Sequence, residues 1–260
     1  GHVLAQNQAN ANLLTSSEPH FPPKIRNIIY LYMVGGPSQL DLFDPKPRLK
    51  ELDGHPLPDS FLENKRFAFM DSFTKQKPLL LGSEREFKRY GQSGKTISEC
   101  LPETASIVDK LAFISTASTD NFNHGPAQIF SNTGSSRPGR PSMGSWISYG
   151  IGNESQNLPA FVVLQSGRAG PRAGASNWES GFLPTSHQGI PFFSSGDPLL
   201  NLSSPDGMSY LRQGNRVEAI RNLNLARLTE TGDPEIATRI ASYEMAYRMQ
   251  TSGPELIDFS

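Results

Sequence analysis

The hydrophobic positions of this chain fall into two patterns: short continuous apolar runs in the first two thirds, and helical spacing towards the end. Lys24 to Val34, KIRNIIYLYMV, is almost unbroken in its apolar residues and stops at Gly35 and Gly36, the pattern of a strand covered on both faces. Pro45 to Gln92 has only short apolar pieces among Pro, Gly, Lys and Asp and predicts an extended segment with one hairpin. Thr96 to Asp109 predicts a helix, with Ser98 as N-cap and Ile97, Leu101, Ala105 and Val108 along one face. KLAFIS, Lys110 to Ser115, predicts a second buried strand, and LPAFVVL, Leu158 to Leu164, a β-branched and aromatic third.

Two short helices are predicted over Pro126–Asn132 and Ser142–Tyr149, separated by TGSSRPGR, with Pro126 and Pro141 near their starts. Gln165 to Ser209 is Gly-, Pro- and Ser-rich and too long for an ordinary connection, which suggests a functional surface or a capping loop. Ser209–Leu228 and Pro234–Gln250 predict two amphipathic helices. Strands alternating with helices predict βαβ units and the α/β class, in which functional groups gather beyond the carboxyl ends of strands. The loops GGPSQLDLFDPKP and TASTDNFNHGPAQ occupy those places.

Composition narrows the function. The 260 residues are 36% hydrophobic and 19% charged, with 23 Gly and 21 Pro, which describes a loop-rich folded chain rather than a disordered one. A formal net charge of −1 supplies no global field for nucleic acid, so an anionic ligand must be held by local charge. The lone Cys100 excludes an internal disulfide and a cysteine-based zinc cluster. No apolar run approaches the ~20 residues of a membrane span. Residues 1–24, polar and rich in Asn and Gln, read as a flexible leader without the features of a signal peptide. With no initiator Met and GPELIDFS at the other end, both ends read as cut.

The candidate chemistry sits in the two loops and the segment after them. Asp41, Asp44 and His124 offer carboxylates and an imidazole of the kind that suits a divalent ion with an open position; loop and helix capping is the plainer role for the two aspartates. His124, at a predicted helix start, has the chemistry of a ligand, a nucleophile or a general acid, or is a hydrogen-bonded loop histidine. Asn121 and Asn123 flank it and offer donors to an oxyanion, or turn chemistry. Arg137 and Arg140 bracket a helix start where guanidinium and backbone N–H groups together favour sulfate or phosphate, their alternative being a solvated loop. Ser142 is a nucleophile if a base or metal reaches it, and otherwise an N-cap. Trp178, His187 and Asp197, in the long loop, are further candidates for substrate contact, whereas His20 and His55 are expected to face solvent.

The blocks LYMVGGPSQLDLFDPKP, GQSG, TDNFNHGPAQIFSNTG, GRPSMGSW, NLPAFVV, SNWESGFLP and IASYEMAYRMQTS, in this order between Ile28 and Ser252, resemble the DUF1501 family, a sulfatase-like branch of the alkaline phosphatase superfamily. The resemblance implies a three-layer α/β sandwich with a mostly parallel sheet, residues 25–260 being the N-terminal part of one such domain, incomplete at the C-terminus. It also implies export to the periplasm or beyond, a divalent metal such as zinc or calcium, and a small-molecule or glycan ester as substrate. Further metal ligands are implied to come from WDxH-, GEFGR- and GRDH-like segments that do not occur here.

Sulfatases carry a nucleophile motif C/S-x-P-x-R followed by Thr-Gly, and His124 to Gly134, HGPAQIFSNTG, resembles it in the spacing of Pro126 and Thr133-Gly134. His124 then stands at the nucleophile position and Gln128 where the basic residue belongs. Gly35 and Gly36 likewise follow the first predicted strand, where the superfamily places a metal-binding Asp, so that Asp41 and then Asp44 are the nearest carboxylates. The leading expectation is a metal-dependent hydrolase of sulfate or phosphate esters. Its rivals are a non-catalytic exported binding or structural protein with the same fold, and a carbohydrate-binding scaffold around Trp178. The oligomeric state is left open.

Overall fold

A computed structural model describes residues 21–22, 24–25, 27–63, 77–153, 155, 157–165, 170–193 and 207–256, the last of these with side chains to 251. The expected leader lies almost wholly outside the described residues, as do His20 and Asp197. The chain divides into two compact units, Tyr30–Phe122 and Asn123–Ser260, the second with Gly1–Ile29. Each is a mixture of helix and strand, and among the described residues each holds one two-stranded sheet.

In the unit Tyr30–Phe122, two short helices, α1 (Gln39–Leu42) and α2 (Pro47–Glu51), precede a hairpin of β1 (Phe87–Tyr90) and β2 (Lys95–Ser98). The strands are antiparallel, with Phe87 opposite Ser98 and Tyr90 opposite Lys95. The turn between them is closed from outside: the Asp109 carboxylate accepts the Gln92 N–H at 2.8 Å and the Ser93 N–H at 3.0 Å. Those two amides also hold the Asp109 pKa below the usual carboxylate range, Ser93 contributing most.

The helix expected over Thr96–Asp109 is instead β2 followed by α3 (Pro102–Ser106) and a 3-10 turn, Val108–Lys110. Pro102 is the reason. The residue before a proline is driven out of the helical region, and Leu101 has φ −125° and ψ 58°; Pro102 then opens α3 at its first turn, where no N–H is needed. Ile97, Ala105 and Val108 are nevertheless buried together, with Tyr90, Leu101 and Phe113 packed on them. All four apolar positions of the expected helix face thus meet in one core, through a strand, a turn and a short helix.

Neither of the first two expected strands is present among the described residues. Ile29, Leu31 and Met33 are exposed, and so is Ile114. A continuous apolar run specifies burial on two faces but names no pairing partner, and within the described residues no strand pairs with either segment. Phe113 alone of the second run packs inward, against Phe43 at 5.9 Å and beneath the Lys95 ammonium at 4.8 Å.

The unit that begins at Asn123 has the helices the sequence predicts. These are α4 (His124–Thr133), α5 (Met143–Ile151), α6 (Tyr210–Thr231) and α7 (Pro234–Leu256). Their ends follow capping chemistry: the side chains of Asn123, Ser142 and Ser209 accept backbone N–H groups at the starts of α4, α5 and α6, and Gly134 and Gly232 take left-handed φ at the ends of α4 and α6. The third expected strand is present as β3 (Val162–Gln165), which starts later than expected and pairs in parallel with β4 (Ile190–Phe193) from the long loop. Helices α6 and α7 form a hairpin joined across its length by Arg221 and Glu244 at 3.0 Å. Phe192 of β4 is buried against Met249 of α7, with Ile190 and Met245 beside them.

The Asp109 clamp on the β1–β2 turn gives a first prediction. Gly91 has φ +64°, and a methyl group there would run into the Asp109 carboxylate. Gly91→Ala is expected to cost about 1–2 kcal/mol from the left-handed backbone alone. Gly91→Ala combined with Asp109→Ala should cost less than the sum of the two single changes, because both act on one turn. Urea denaturation of the four proteins measures this, and strict additivity would disprove the clamp.

Candidate functional site

In the unit Tyr30–Phe122, Asp41 sits on α1 three residues after Ser38, whose carbonyl accepts the Asp41 N–H at 3.1 Å. Its carboxylate accepts the Ser83 hydroxyl at 2.5 Å. The Ser83 hydroxyl first, and then that of Ser38, hold Asp41 below the usual carboxylate range, with the positive charge of Arg85 adding to them. Asp41, Ser38, Ser83 and Lys46 line a cavity of about 180 Å³ together with Leu40, Leu49 and Leu81, so the group is an ionised acceptor in a small recess of mixed polar and apolar lining.

Asp44, expected as the second ligand, does not line that recess; it is exposed and paired with Lys46 at 2.8 Å. Among the described residues no group of three or more His, Cys, Asp and Glu side chains could hold a metal ion, whereas a catalytic zinc site takes three protein ligands. Asp41 and Asp44 do not make that set. Asn121, in the same unit, uses its N–H and its amide on the Thr119 hydroxyl, at 3.1 and 3.2 Å, which is turn chemistry.

The other candidates belong to the unit that starts at Asn123. Asn123 caps α4, its side-chain oxygen accepting the Gly125 N–H at 3.1 Å. His124 is the first residue of α4, exposed. Gln128, at the position of the sulfatase basic residue, is buried: its side-chain oxygen takes the Ala173 N–H at 3.4 Å, and its carbonyl takes the Asn132 amide at 2.8 Å. Asn132 also donates to Asn177, which donates in turn to the Gly174 carbonyl. The Thr-Gly of the sulfatase-like spacing is here a helix end, Gly134 at φ 73° donating to the Phe130 carbonyl.

Beyond that end lies the turn with Arg137 and Arg140, both exposed and without an ion pair among the described residues. Ser142 follows it, buried, as the N-cap of α5 and 2.9 Å from the Ser145 hydroxyl. The hydroxyl expected as a nucleophile is therefore engaged in capping, as the plainer reading had it. The ends of the turn face each other across an open cleft of about 440 Å³, lined by Ser131 to Gly134 on one side and Pro141, Met143, Trp146 and Ile147 on the other. A ten-residue helix is about 15 Å long, and α4 places its length between His124 and the turn that carries the arginines. Arg137, Arg140 and Ser142 thus follow the end of α4, the two arginines outside the lining of the cleft, while His124 and Asn123 are at its opposite end.

Trp178, expected to present a ring from the long loop, is buried. The Gly189 N–H donates to its carbonyl at 2.9 Å, and Gly189 has no side chain to keep that backbone away.

The sequence did not single out the contact between Ser148 Oγ and His187 Nδ1, 2.9 Å apart across 39 residues. This is the spacing of an activated nucleophile, but both side chains are buried, so the hydroxyl has no open path to a substrate and the pair joins α5 to the turn Thr185–His187. Spacing along the chain carried no signal for it. Burial lowers the His187 pKa below its ordinary value near 6.5. The unfolded chain therefore takes up this proton first. The resulting stability is complete above about pH 6.5 and is lost as the pH falls from there towards the folded pKa. Melting temperature measured from pH 7.5 to 5 should fall on the acid side, and His187→Gln should flatten that fall; an unchanged slope would reject the assignment.

No curated protein and no solved structure matches the chain. A family model does, described as "Protein of unknown function (DUF1501)", and it covers residues 25–260, so the chain belongs to the DUF1501 family.

Proposed function

We propose that this chain binds a sulfate or phosphate ester at the cleft between α4 and α5, as part of a sulfatase-like, metal-dependent hydrolase that is exported from the cell. One observation carries the reading: Arg137 and Arg140 are exposed, without an ion pair among the described residues, on the turn that joins the two walls of the cleft. A guanidinium offers planar paired donors that match a tetrahedral oxyanion better than an ammonium does. The turn has no acidic residue between Thr133 and Ser142 to compete for them.

The alkaline-phosphatase-like sandwich with a mostly parallel sheet belongs to the same proposal, and so does the metal, zinc or calcium. Asp41 is the ligand candidate with the most support, because it is already ionised and faces a cavity; His124 is the second. The described residues do not complete a metal site, and the binding of the ester at the arginine turn does not depend on one.

A second reading, a binding protein without turnover, is favoured by the use of Ser142 and Asn123 as helix caps and by the helix between His124 and the arginines. Two measurements separate the readings. Calorimetric titration with inorganic sulfate and phosphate should show binding that Arg137→Ala with Arg140→Ala weakens about tenfold or more, as expected for lost hydrogen bonds to a charged group; equal affinity in the variant would overturn the ester-binding reading. Turnover of 4-nitrophenyl sulfate or phosphate that depends on added zinc or calcium and is lost in Arg137→Ala with Arg140→Ala supports the hydrolase. Anion binding without turnover under the same conditions favours the binding protein.

A further inference from the structure

Three large rings stand together on the unit that holds the arginine turn. Trp146 meets Phe182 at 5.7 Å and Tyr149 at 6.2 Å between ring centroids, both edge to face. Trp146 and Tyr149 are each 47% exposed and Phe182 is 66% exposed. Edge-to-face aromatic pairs normally add to a core. Here they form a contiguous exposed patch, the kind of surface that marks a binding site. The patch is fixed from beneath. Ser142 N–H and Ser145 Oγ both donate to the Glu179 carbonyl at 3.0 Å, and Gly181, at φ +58°, lies so close to the Arg140–Pro141 backbone that a Cβ there would be 2.5 Å from it. Phe182 is therefore delivered next to the turn that carries Arg140, and Trp146 itself lines the cleft.

We infer that Trp146, Phe182 and Tyr149 form a stacking surface for the apolar face of a sugar ring, and that the ester held at Arg137 and Arg140 is a sulfated glycan. The inference rests on the ester-binding reading for the position of the anionic group and adds the class of molecule that carries it. A pyranose presents a face of C–H bonds to the electron-rich face of an aromatic ring, while its substituents point outward at the rim. One sulfate at that rim falls to the two guanidinium groups, and Ser131 on the opposite wall offers a hydroxyl to the sugar. A proline-rich peptide also stacks on exposed aromatic rings, but it brings no anion to match the two arginines. Charge complementarity therefore selects the glycan.

The test compares three probes on the whole chain by calorimetry: a sulfated galactan oligosaccharide, the same oligosaccharide desulfated, and inorganic sulfate. The sulfated oligosaccharide should bind more tightly than either of the others. Phe182→Ala, outside the lining of the cleft, should weaken both oligosaccharides about tenfold and leave inorganic sulfate unchanged, while Phe182→Tyr retains most of the affinity and controls for folding. Arg137→Ala with Arg140→Ala should remove the preference for the sulfated form and keep weak binding of the desulfated one. If inorganic sulfate binds but no oligosaccharide gains from the rings, the stacking surface is overturned and the ester reading stands. If only the desulfated sugar binds, the surface stands and the ester reading fails. Tight binding of a proline-rich peptide in place of the sugar, or an oligomer that the aromatic substitutions disperse, would also overturn the inference by giving the rings a protein partner.

Discussion

The carbonyl oxygen of Glu179 accepts both the Ser142 N–H and the Ser145 hydroxyl, each at 3.0 Å, and the arrangement of the cleft depends on that junction. Ser142 and Ser145 are buried, and a buried donor left without its acceptor costs about 1–3 kcal/mol. The segment from Asn177 to Gly181 is therefore held in register with the first turn of α5. On its other side, Asn177 joins the chain of amides that runs through Asn132 to Gln128. Two helices that are neighbours in sequence are thus fastened by polar groups to one distant segment of backbone, and the surface they share stays open as a cleft.

Much of the helical framework could be read from the sequence, and the reason is local. Asn123, Ser142 and Ser209 begin helices because a short side-chain oxygen there meets a free backbone N–H, and Gly134 and Gly232 end them because only glycine enters the left-handed region at little cost. The strands were less legible. The run Lys24–Val34 has the composition of a strand but no partner among the described residues, and β4, hidden in a loop-like stretch, pairs with β3 where nothing in its flanks announced it. Pro102 was legible in principle, since a residue before proline leaves the helical region; the regular spacing of Ile97, Leu101, Ala105 and Val108 outweighed it in the sequence reading.

The candidate site separates along the same line. Residues singled out for chemistry that also cap or turn the chain do so here: Asn121 bonds to Thr119, Asn123 and Ser142 cap helices, and Asp44 pairs with Lys46. Asp41 keeps an ionised carboxylate facing a cavity, and His124, Arg137 and Arg140 keep exposed side chains. The pair Ser148 and His187 and the ring cluster around Trp146 were invisible because their members lie 39 and 36 residues apart. Their meeting depends on how the long loop returns to α5, which no local pattern encodes.

Gln128 shows where this chain differs from the sulfatase spacing that His124–Gly134 resembles. A sulfatase places a basic side chain two residues after the proline; here that position points into a buried network in which the glutamine oxygen serves the Ala173 N–H. An arginine there would lose that acceptor and bring in a guanidinium, and a buried charge without a partner costs about 3–5 kcal/mol. The helix α4 can therefore have Gln128 as its anchor to the Gly174–Asn177 turn, or a cation at that position, but not both. With the inner position closed to positive charge, the cations of this segment lie past the end of the helix, at Arg137 and Arg140, where solvent accommodates them and the cleft opens beside them. The guanidinium groups of this segment thus belong to the turn between α4 and α5 rather than to the inner face of α4, and an arginine at residue 128 would take the acceptor from the Ala173 N–H while the Asn132 bonds, made to the Gln128 backbone carbonyl and to Asn177, stay in place.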